Sequence, residues 1–358
     1  MDAIKGLNNL IQEFVNNGAF PGGNYVLVVG DKTYFGSFGN KALYPNVEKN
    51  DIDTLYDMAS VSKVISTTTC ILKLIEEGKI RLFSKVTNYL PRFKHENITI
   101  FNLLTHTSGM QEGISNCTTA KSKEEVLDRL YSYDLKYTVA EHIIYSDLNY
   151  IMLGEIVETI TGKSLDVYAK EVVFDPLEMY DTGYKPLDKM RCAPTEDRND
   201  ETYRGIVRGD VHDETAYACG GVAGHAGVFS TVKDMEHFIR MILNKGTYNG
   251  KRILSEAVVD RLFVPQVSEK QGLMEHYDRR GLGWIVNSQF SSAGDLTSYD
   301  DTILHTGFTG TNVWIDRKNN VGFSFLTNRV HPTRKNANMI EVRPRVANYI
   351  MAHLEDLR

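Results

Sequence analysis

Apolar positions recur along this chain in two rhythms. Near the start, Ile4, Leu7, Leu10, Ile11 and Phe14 keep the spacing of one helix face, and the run stops at Gly18. After the turn Pro21-Gly22-Gly23, residues 24–30 (NYVLVVG) and 33–39 (TYFGSFG) predict two strands joined at Asp31-Lys32 as a hairpin. Residues 54–59 (TLYDMA) read as a strand feeding a helix that starts near Ser60. Ile65, Cys70, Leu72, Leu74 and Ile75 make that helix apolar on most sides, as a buried central helix is.

From about residue 80 to 245 the rhythm is mainly helical. Ser122 caps one run with a glutamate three positions on, Gly162 stops another, and Thr231 with Asp234 opens a third that closes at Gly246. Residues 185–215 are polar and irregular, a segment expected to cover something. Strand signals return at 281–286, 302–307, 311–317 and 321–328, with Asn319-Asn320 as a tight turn. A last helix is predicted around 344–354. The expected fold is α/β of the α+β kind: an antiparallel β-sheet flanked by the N- and C-terminal helices, plus an inserted all-helical domain. Residues 1–80 and 246–358 form the discontinuous sheet domain and 81–245 the helical one. The active-site cleft is expected between them.

Composition narrows the function. In 358 residues, 42% are hydrophobic and 24% charged, enough for a sizeable core. The formal charge of −6 leaves no basic footprint for nucleic acid. Charge runs such as Asp278–Gly281 (DRRG) read as solvated surface. Cys70, Cys117, Cys192 and Cys219 form no CxxC pair and no metal comb, which predicts free thiols in a reducing compartment. The first residues carry no secretory pattern and no run reaches a membrane span. The expectation is a cytoplasmic protein without cofactor.

Within the apolar segment after residue 56 stands Ser60-Val61-Ser62-Lys63. Positions i and i+3 of a helix share a face, so the amine can reach the hydroxyl. Burial lowers an amine's proton affinity, and a helix start offers free amides and positive potential. That is the chemistry of an acyl-transfer nucleophile. A capping serine beside a solvated lysine is the plainer alternative, and the apolar neighbours Val61, Val64 and Ile65 speak against it.

Two later stretches complete a pattern: residues 145–155 (YSDLNYIMLGE) and 305–316 (HTGFTGTNVWID). With Ser60 and Lys63, and in this order, they resemble the penicillin-recognising serine hydrolases. Residues 98–110, 220–231, 281–284 and 326–329 are similar to members as well. The resemblance implies Ser60 as nucleophile, Lys63 as its activating partner and Tyr145 as proton shuttle. It implies main-chain amides of Ser60 and Phe308 as oxyanion hole, with Asp147, His305, Thr306 and Gly307 on the substrate. Two departures stand out. Asp147 replaces the usual asparagine; it cannot donate to a substrate amide but can pair with Lys63. A shifted register would use Ser146 or Asn149 instead. His305 replaces the usual lysine, so a charge that holds an anionic substrate group would depend on pH.

The remaining candidates have plainer readings beside them. His106 is expected to brace a loop. Asp210, His212, Asp213 and His225 lie close in sequence but fit no common zinc spacing, so no metal is assigned. Arg329 and His331 are expected at the cleft rim, and Trp284 in the core or cleft wall. The reading is a serine hydrolase forming an acyl-enzyme on a small-molecule or short-peptide amide or ester. The resemblance leans towards DD-peptidase and D-aminopeptidase members; a carboxylesterase, a weak β-lactamase and a non-catalytic ligand-binding protein of the same fold are the rivals. The oligomeric state stays open.

Overall fold

The computed structural model describes residues 3–202, 204–271, 276–286 and 291–358. Nine strands form one antiparallel sheet: β1 (Gly22–Val29), β2 (Lys32–Ala42), β3 (Glu48–Lys49), β4 (Val267–Gln271), β5 (His276–Arg280), β6 (Ile285–Val286), β7 (Thr302–Thr306), β8 (Asn312–Asp316) and β9 (Val321–Thr327). Their spatial order is β4-β5-β6-β7-β8-β9-β1-β2-β3. The chain ends thus meet in the middle of the sheet, where Tyr25 pairs with Phe325 across β1 and β9.

Every residue of β1 is buried, because both faces of the sheet are covered. Tyr25, Leu27 and Val29 join Trp314, Phe323 and Phe325 under the terminal helices, Ala3–Asn16 and Met339–Ala352. Val26 and Val28 point the other way, into the large core shared with the helical region. A strand with two buried faces shows no alternation, so β1 reads as the continuous apolar run NYVLVV.

Several local expectations match closely. The Ser122 hydroxyl accepts the Glu125 N–H, the Thr231 hydroxyl accepts the Asp234 N–H, and Gly162 ends its helix at φ 67°. Others shift. The first hairpin turns at Gly30-Asp31, with Gly30 at φ 55°, one residue before the predicted pair. The last helix starts at Met339, earlier than predicted, and carries Pro344 inside it. The buried stripe Met339, Val342, Val346 and Ile350 runs through the proline, and that packing outweighs its missing N–H. Strands β4 and β5 were not predicted. They are the edge strand and its neighbour, polar and rich in charge, which hides them from any hydrophobic pattern. The strand predicted at 54–59 is short, Tyr56–Asp57, and pairs with Val228–Ser230 in a separate small sheet.

Helix Val232–Leu243 comes from the segment assigned to the helical insert, yet it packs on β1 and β9. Its face Met235, Phe238, Ile239 and Ile242 is buried. The fit depends on Gly322 of β9, where an added Cβ would fall 2.2 Å from Ile239 Cγ2. Gly322→Ala is therefore expected to destabilise the fold by about 1–3 kcal/mol through overpacking. In denaturant unfolding, Ile239→Ala should cost less in that background than in the wild type. Additive costs would exclude the contact.

Candidate active site

The turn before Ser60 is strained and tightly held. Ala59 has φ 46°, a region where a Cβ crowds the backbone. The buried carboxylate of Asp57 accepts the Ala59 N–H at 2.8 Å and the His212 N–H at 2.7 Å. The hydroxyls of Thr309 and Thr311 donate to the carbonyls of Asp57 and Met58 at 2.8 and 2.9 Å. Gly307 makes this approach possible: a Cβ there would lie 2.1 Å from Thr311 Oγ1 and 2.6 Å from the Met58 carbonyl oxygen. Its small size thus serves the packing of the turn itself.

Ser60 is followed by mixed helix. Ala59–Val61 is a 3₁₀ turn, Lys63–Thr68 is π-helical, and only Thr69–Glu76 is α-helical. The run Ser66-Thr67-Thr68-Thr69 explains this departure from the single predicted helix. Thr69 donates to the Val64 carbonyl five residues back at 2.8 Å, and Thr67 to the Gly224 carbonyl at 2.7 Å.

Lys63 is fully buried. Its Nζ donates to Ser60 Oγ and to the His225 carbonyl, both at 2.9 Å, and lies 2.7 Å from Asp147 Oδ1. Burial alone pulls an ammonium's pKa down. The charges of Asp147 and Tyr145 outweigh it, and the Lys63 pKa stands above its ordinary value. Lys63 is therefore a cation at neutral pH. The Tyr145 ring centroid is 5.0 Å from Nζ.

Tyr145 is placed by its neighbours. His106 packs on its ring at 4.7 Å and accepts the Ser146 N–H through Nδ1 at 3.1 Å. Burial drives the His106 pKa well below the usual range, which keeps that nitrogen an acceptor. Glu269 of β4 accepts the Ile143 N–H and meets His142 Nδ1 at 2.8 Å, clipping the segment to the sheet edge. The shifted register is excluded by position. Ser146 donates to the Gln111 carbonyl and Asn149 accepts from Ser108, both fully buried, whereas Asp147 faces the cavity.

Ser60, Tyr145, Asp147, His305, Thr306, Gly307 and Phe308 line one cavity of about 590 Å³, with Lys63 beneath it. The expectation for His305 needs correction. Its Nδ1–H donates to the Thr306 carbonyl at 3.0 Å and its Nε2 is buried without a partner. Burial first, then the charges of Lys63 and Arg280, push its pKa down to about 3. His305 is neutral at working pH and cannot hold an anion by charge. The cations of the cavity are arginines. Arg280, read from sequence as solvated surface, has 12% of its side chain exposed and pairs with Asp278 at 2.8 Å. Arg343 is half-buried; it donates to the carbonyls of Gly307 and Thr311 at 2.8 and 2.9 Å, and its buried Nε has no partner. Burial lowers its pKa to about 10, so it stays charged. Its signal in the sequence was a basic residue set on the apolar stripe of the last helix.

The other candidates separate. Arg329 lines the cavity, but His331 is buried and accepts the N–H groups of Leu43 and Tyr44 at 3.0 and 3.2 Å. Trp284 is core, stacked on Phe238. Asp210 pairs with Lys189 and His212 with Glu196. Asp147, Asp213 and His225 do converge, with one potential ligand atom each within 4.8 Å of the others. A dication there would stand against the Lys63 ammonium, which the same Asp147 already neutralises.

The sheet with its terminal helices and the cavity between β7 and the Ser60 turn define a hydrolase of the β-lactamase and penicillin-binding protein class. Residues 7–347 match the family described as Beta-lactamase, and the chain belongs to that family. It is 32% identical over 311 residues to an N-acetylmuramyl-L-alanine amidase of Bacillus subtilis, covering 78% of this chain and 68% of that one. A penicillin-binding protein homologue of Caulobacter crescentus superimposes with TM-score 0.79 at 14% identity, over 98% of each chain. A class C β-lactamase gives 0.74 at 17%, covering 97% and 96%. These two are likenesses of fold. No helix among the described residues is long and apolar enough to cross a membrane.

The His305 ring should keep its neutral NMR signature between about pH 8 and 5; a midpoint near 6.5 would contradict its burial. Its folded pKa lies below the unfolded value, so the unfolded chain takes up the extra proton. The contribution of His305 to stability is therefore present above about pH 6.5 and is lost as pH falls towards 3.

Proposed function

We propose that this protein is a serine hydrolase working through an acyl-enzyme on amide or ester substrates. The observation that carries this reading is Lys63 Nζ at 2.9 Å from Ser60 Oγ, inside a buried, charge-balanced network. Ser60 is the nucleophile. Lys63, held as a cation by Asp147, cannot take the serine proton, and this assigns the base to Tyr145. Tyr145, acting as the phenolate, accepts the proton as Ser60 attacks the carbonyl. Main-chain amides of Ser60 and Phe308 hold the oxyanion. Tyr145 then protonates the leaving group and later activates water against the acyl-enzyme.

An anionic group on the substrate is met by Thr306 with Arg343 and Arg280, in place of His305. The Bacillus subtilis relative, named as an amidase, supports an amide bond in a peptidoglycan fragment as the natural target. The four free cysteines support cytoplasmic residence, and the cavity between β7 and the Ser60 turn supports a cleft between a sheet domain and a helical one. A carboxylesterase or a weak β-lactamase would use the same residues. A non-catalytic binding protein would have no use for a buried lysine against a serine.

Ser60→Ala should lower kcat by roughly 10⁴-fold or more and abolish the mass adduct after a fluorophosphonate or penicillin pulse. A labelled variant would sink the assignment. Asp147→Asn should let burial dominate at Lys63 and lower its pKa. The alkaline fall in the labelling rate of Ser60 should then move to lower pH. An unmoved profile would show that Asp147 does not set the charge of Lys63.

A further inference from the structure

Residues 209–216 (GDVHDETA) and 224–227 (GHAG) meet beside Lys63. A lysine ammonium has three N–H donors, and Lys63 has three acceptors around it. Two are Ser60 Oγ and Asp147 Oδ1; the third is the His225 carbonyl at 2.9 Å. With two N–H groups fixed by Asp147 and this carbonyl, the last is aimed at Ser60. Its direction therefore depends on where the His225 carbonyl stands.

The backbone around that carbonyl gives it little support. Gly224 precedes His225, Gly227 follows two residues on, and Gly220 and Gly221 earlier in the loop stand at φ 76° and 84°. Glycine loses more conformational freedom on ordering than any other residue, so such a segment needs outside anchors. Between Gly224 and Gly227 the one side chain larger than a methyl is that of His225. Its ring is 1% exposed, and Nε2 meets Asp213 Oδ1 at 2.8 Å. Burial by itself would raise the Asp213 pKa; the interactions with His225 outweigh it and hold the carboxyl below the usual range. Asp213 is thus an anion that only accepts, and Nε2 of His225 carries the hydrogen. The other ring nitrogen, Nδ1, is buried and has no hydrogen-bond partner among the described residues, so the ring hangs on Asp213.

Asp213 is itself pinned. The same Oδ1 accepts the Ala216 N–H at 2.8 Å and caps helix Glu214–Ala218. The neighbouring His212 N–H donates to Asp57 at 2.7 Å, and Asp57 is the carboxylate that holds the Ala59 turn. The dipeptide His212-Asp213 therefore reaches the turn that carries Ser60 through one N–H, and the acceptor of Lys63 through one carboxylate.

We propose that Asp213 and His225 are positioning residues for the acyl transfer: Asp213 grips the His225 ring, and the ring sets the carbonyl that aims the Lys63 ammonium at Ser60. Neither side chain has to touch the substrate for this. The proposal rests on Ser60 being the nucleophile.

The test measures the rate of Ser60 labelling by a small uncharged fluorophosphonate, with kcat and KM for p-nitrophenyl acetate, in Asp213→Ser, Asp213→Asn, His225→Ala and the double variant of serine with alanine. Serine keeps the helix cap but is too short to reach His225. Asp213→Ser should therefore label at least about tenfold more slowly, the scale of one hydrogen bond to a charged group. The loss should fall on kcat and leave KM near the wild-type value. Asparagine keeps the acceptor oxygen without the charge, and Asp213→Asn should recover most of the rate. His225→Ala should match Asp213→Ser, and the double variant should lose no more than either single change. Thermal melting establishes which variants are folded; should His225→Ala not fold, the comparison of serine with asparagine decides. A wild type labelled at Ser60, with Asp213→Ser labelled at the same rate, would overturn this proposal alone. So would additive losses in the double variant, or an asparagine variant as slow as the serine one, because Asp213 would then act by its charge and not through His225. Failure of the wild type to label at Ser60 would overturn the catalytic reading and this one with it.

Discussion

A lysine ammonium without access to water must be neutralised and saturated by the protein, or it gives up its proton. Lys63 makes that demand, and its partners arrive from distant parts of the chain. Asp147 comes from the start of one helix, where the helix dipole also suits a carboxylate. The His225 carbonyl comes from a glycine-rich loop. That loop reaches Lys63 because Gly224 lies directly on helix Asp147–Thr161, where a Cβ would stand 1.9 Å from the Tyr150 carbonyl oxygen. Ser60 is the third partner. Removing any one leaves a buried charge short of a contact, so the same network that places the nucleophile also ties the helical region to the sheet.

The strained turn before Ser60 is the second half of the same arrangement. Ala59 at φ 46° is costly by itself and persists only where its surroundings over-determine it. Asp57 supplies that constraint through two buried N–H groups, and Thr309 and Thr311 add two carbonyl contacts from the far side of the cavity. The turn is thereby coupled to the end of β7 and the connection after it, whose residues Thr306 to Phe308 line the same cavity. In the proposed mechanism these main-chain contacts hold Ser60 and the Phe308 amide in mutual register, so a bound carbonyl has little left to reorganise.

Electrostatics in the cavity follow from depth. His305 and His106 are both buried next to cations, and both stay neutral for that reason. A histidine at this depth thus brings no charge to the cavity wall, and the cationic side chains that line it are those of Arg280, Arg329, Arg334 and Arg343.

What the sequence determined by itself is local. The apolar runs of β1, β7, β8 and β9, the caps at Ser122 and Thr231, the stop at Gly162 and the spacing of Ser60 and Lys63 all rest on neighbours a few positions away. They were readable because propensity, capping and side-chain period act over that range. The order of the motifs also pointed to one cavity for Ser60, Tyr145, Asp147 and residues 305–308. Tertiary structure alone decided the rest. It turned Ser146 and Asn149 into braces and left Asp147 facing the cavity. It turned Arg280 from a run that looked solvated into the cavity wall, and brought Asp213 and His225 to Asp147 while pairing Asp210 with Lys189 and His212 with Glu196. It recruited β4 and β5, whose polar sequence carries no strand signal, as the sheet edge that fixes Tyr145. The physical reason is the same in each case: a side chain's charge and partner depend on how deeply it is buried and on what approaches from afar, and neither quantity is written in the residues beside it.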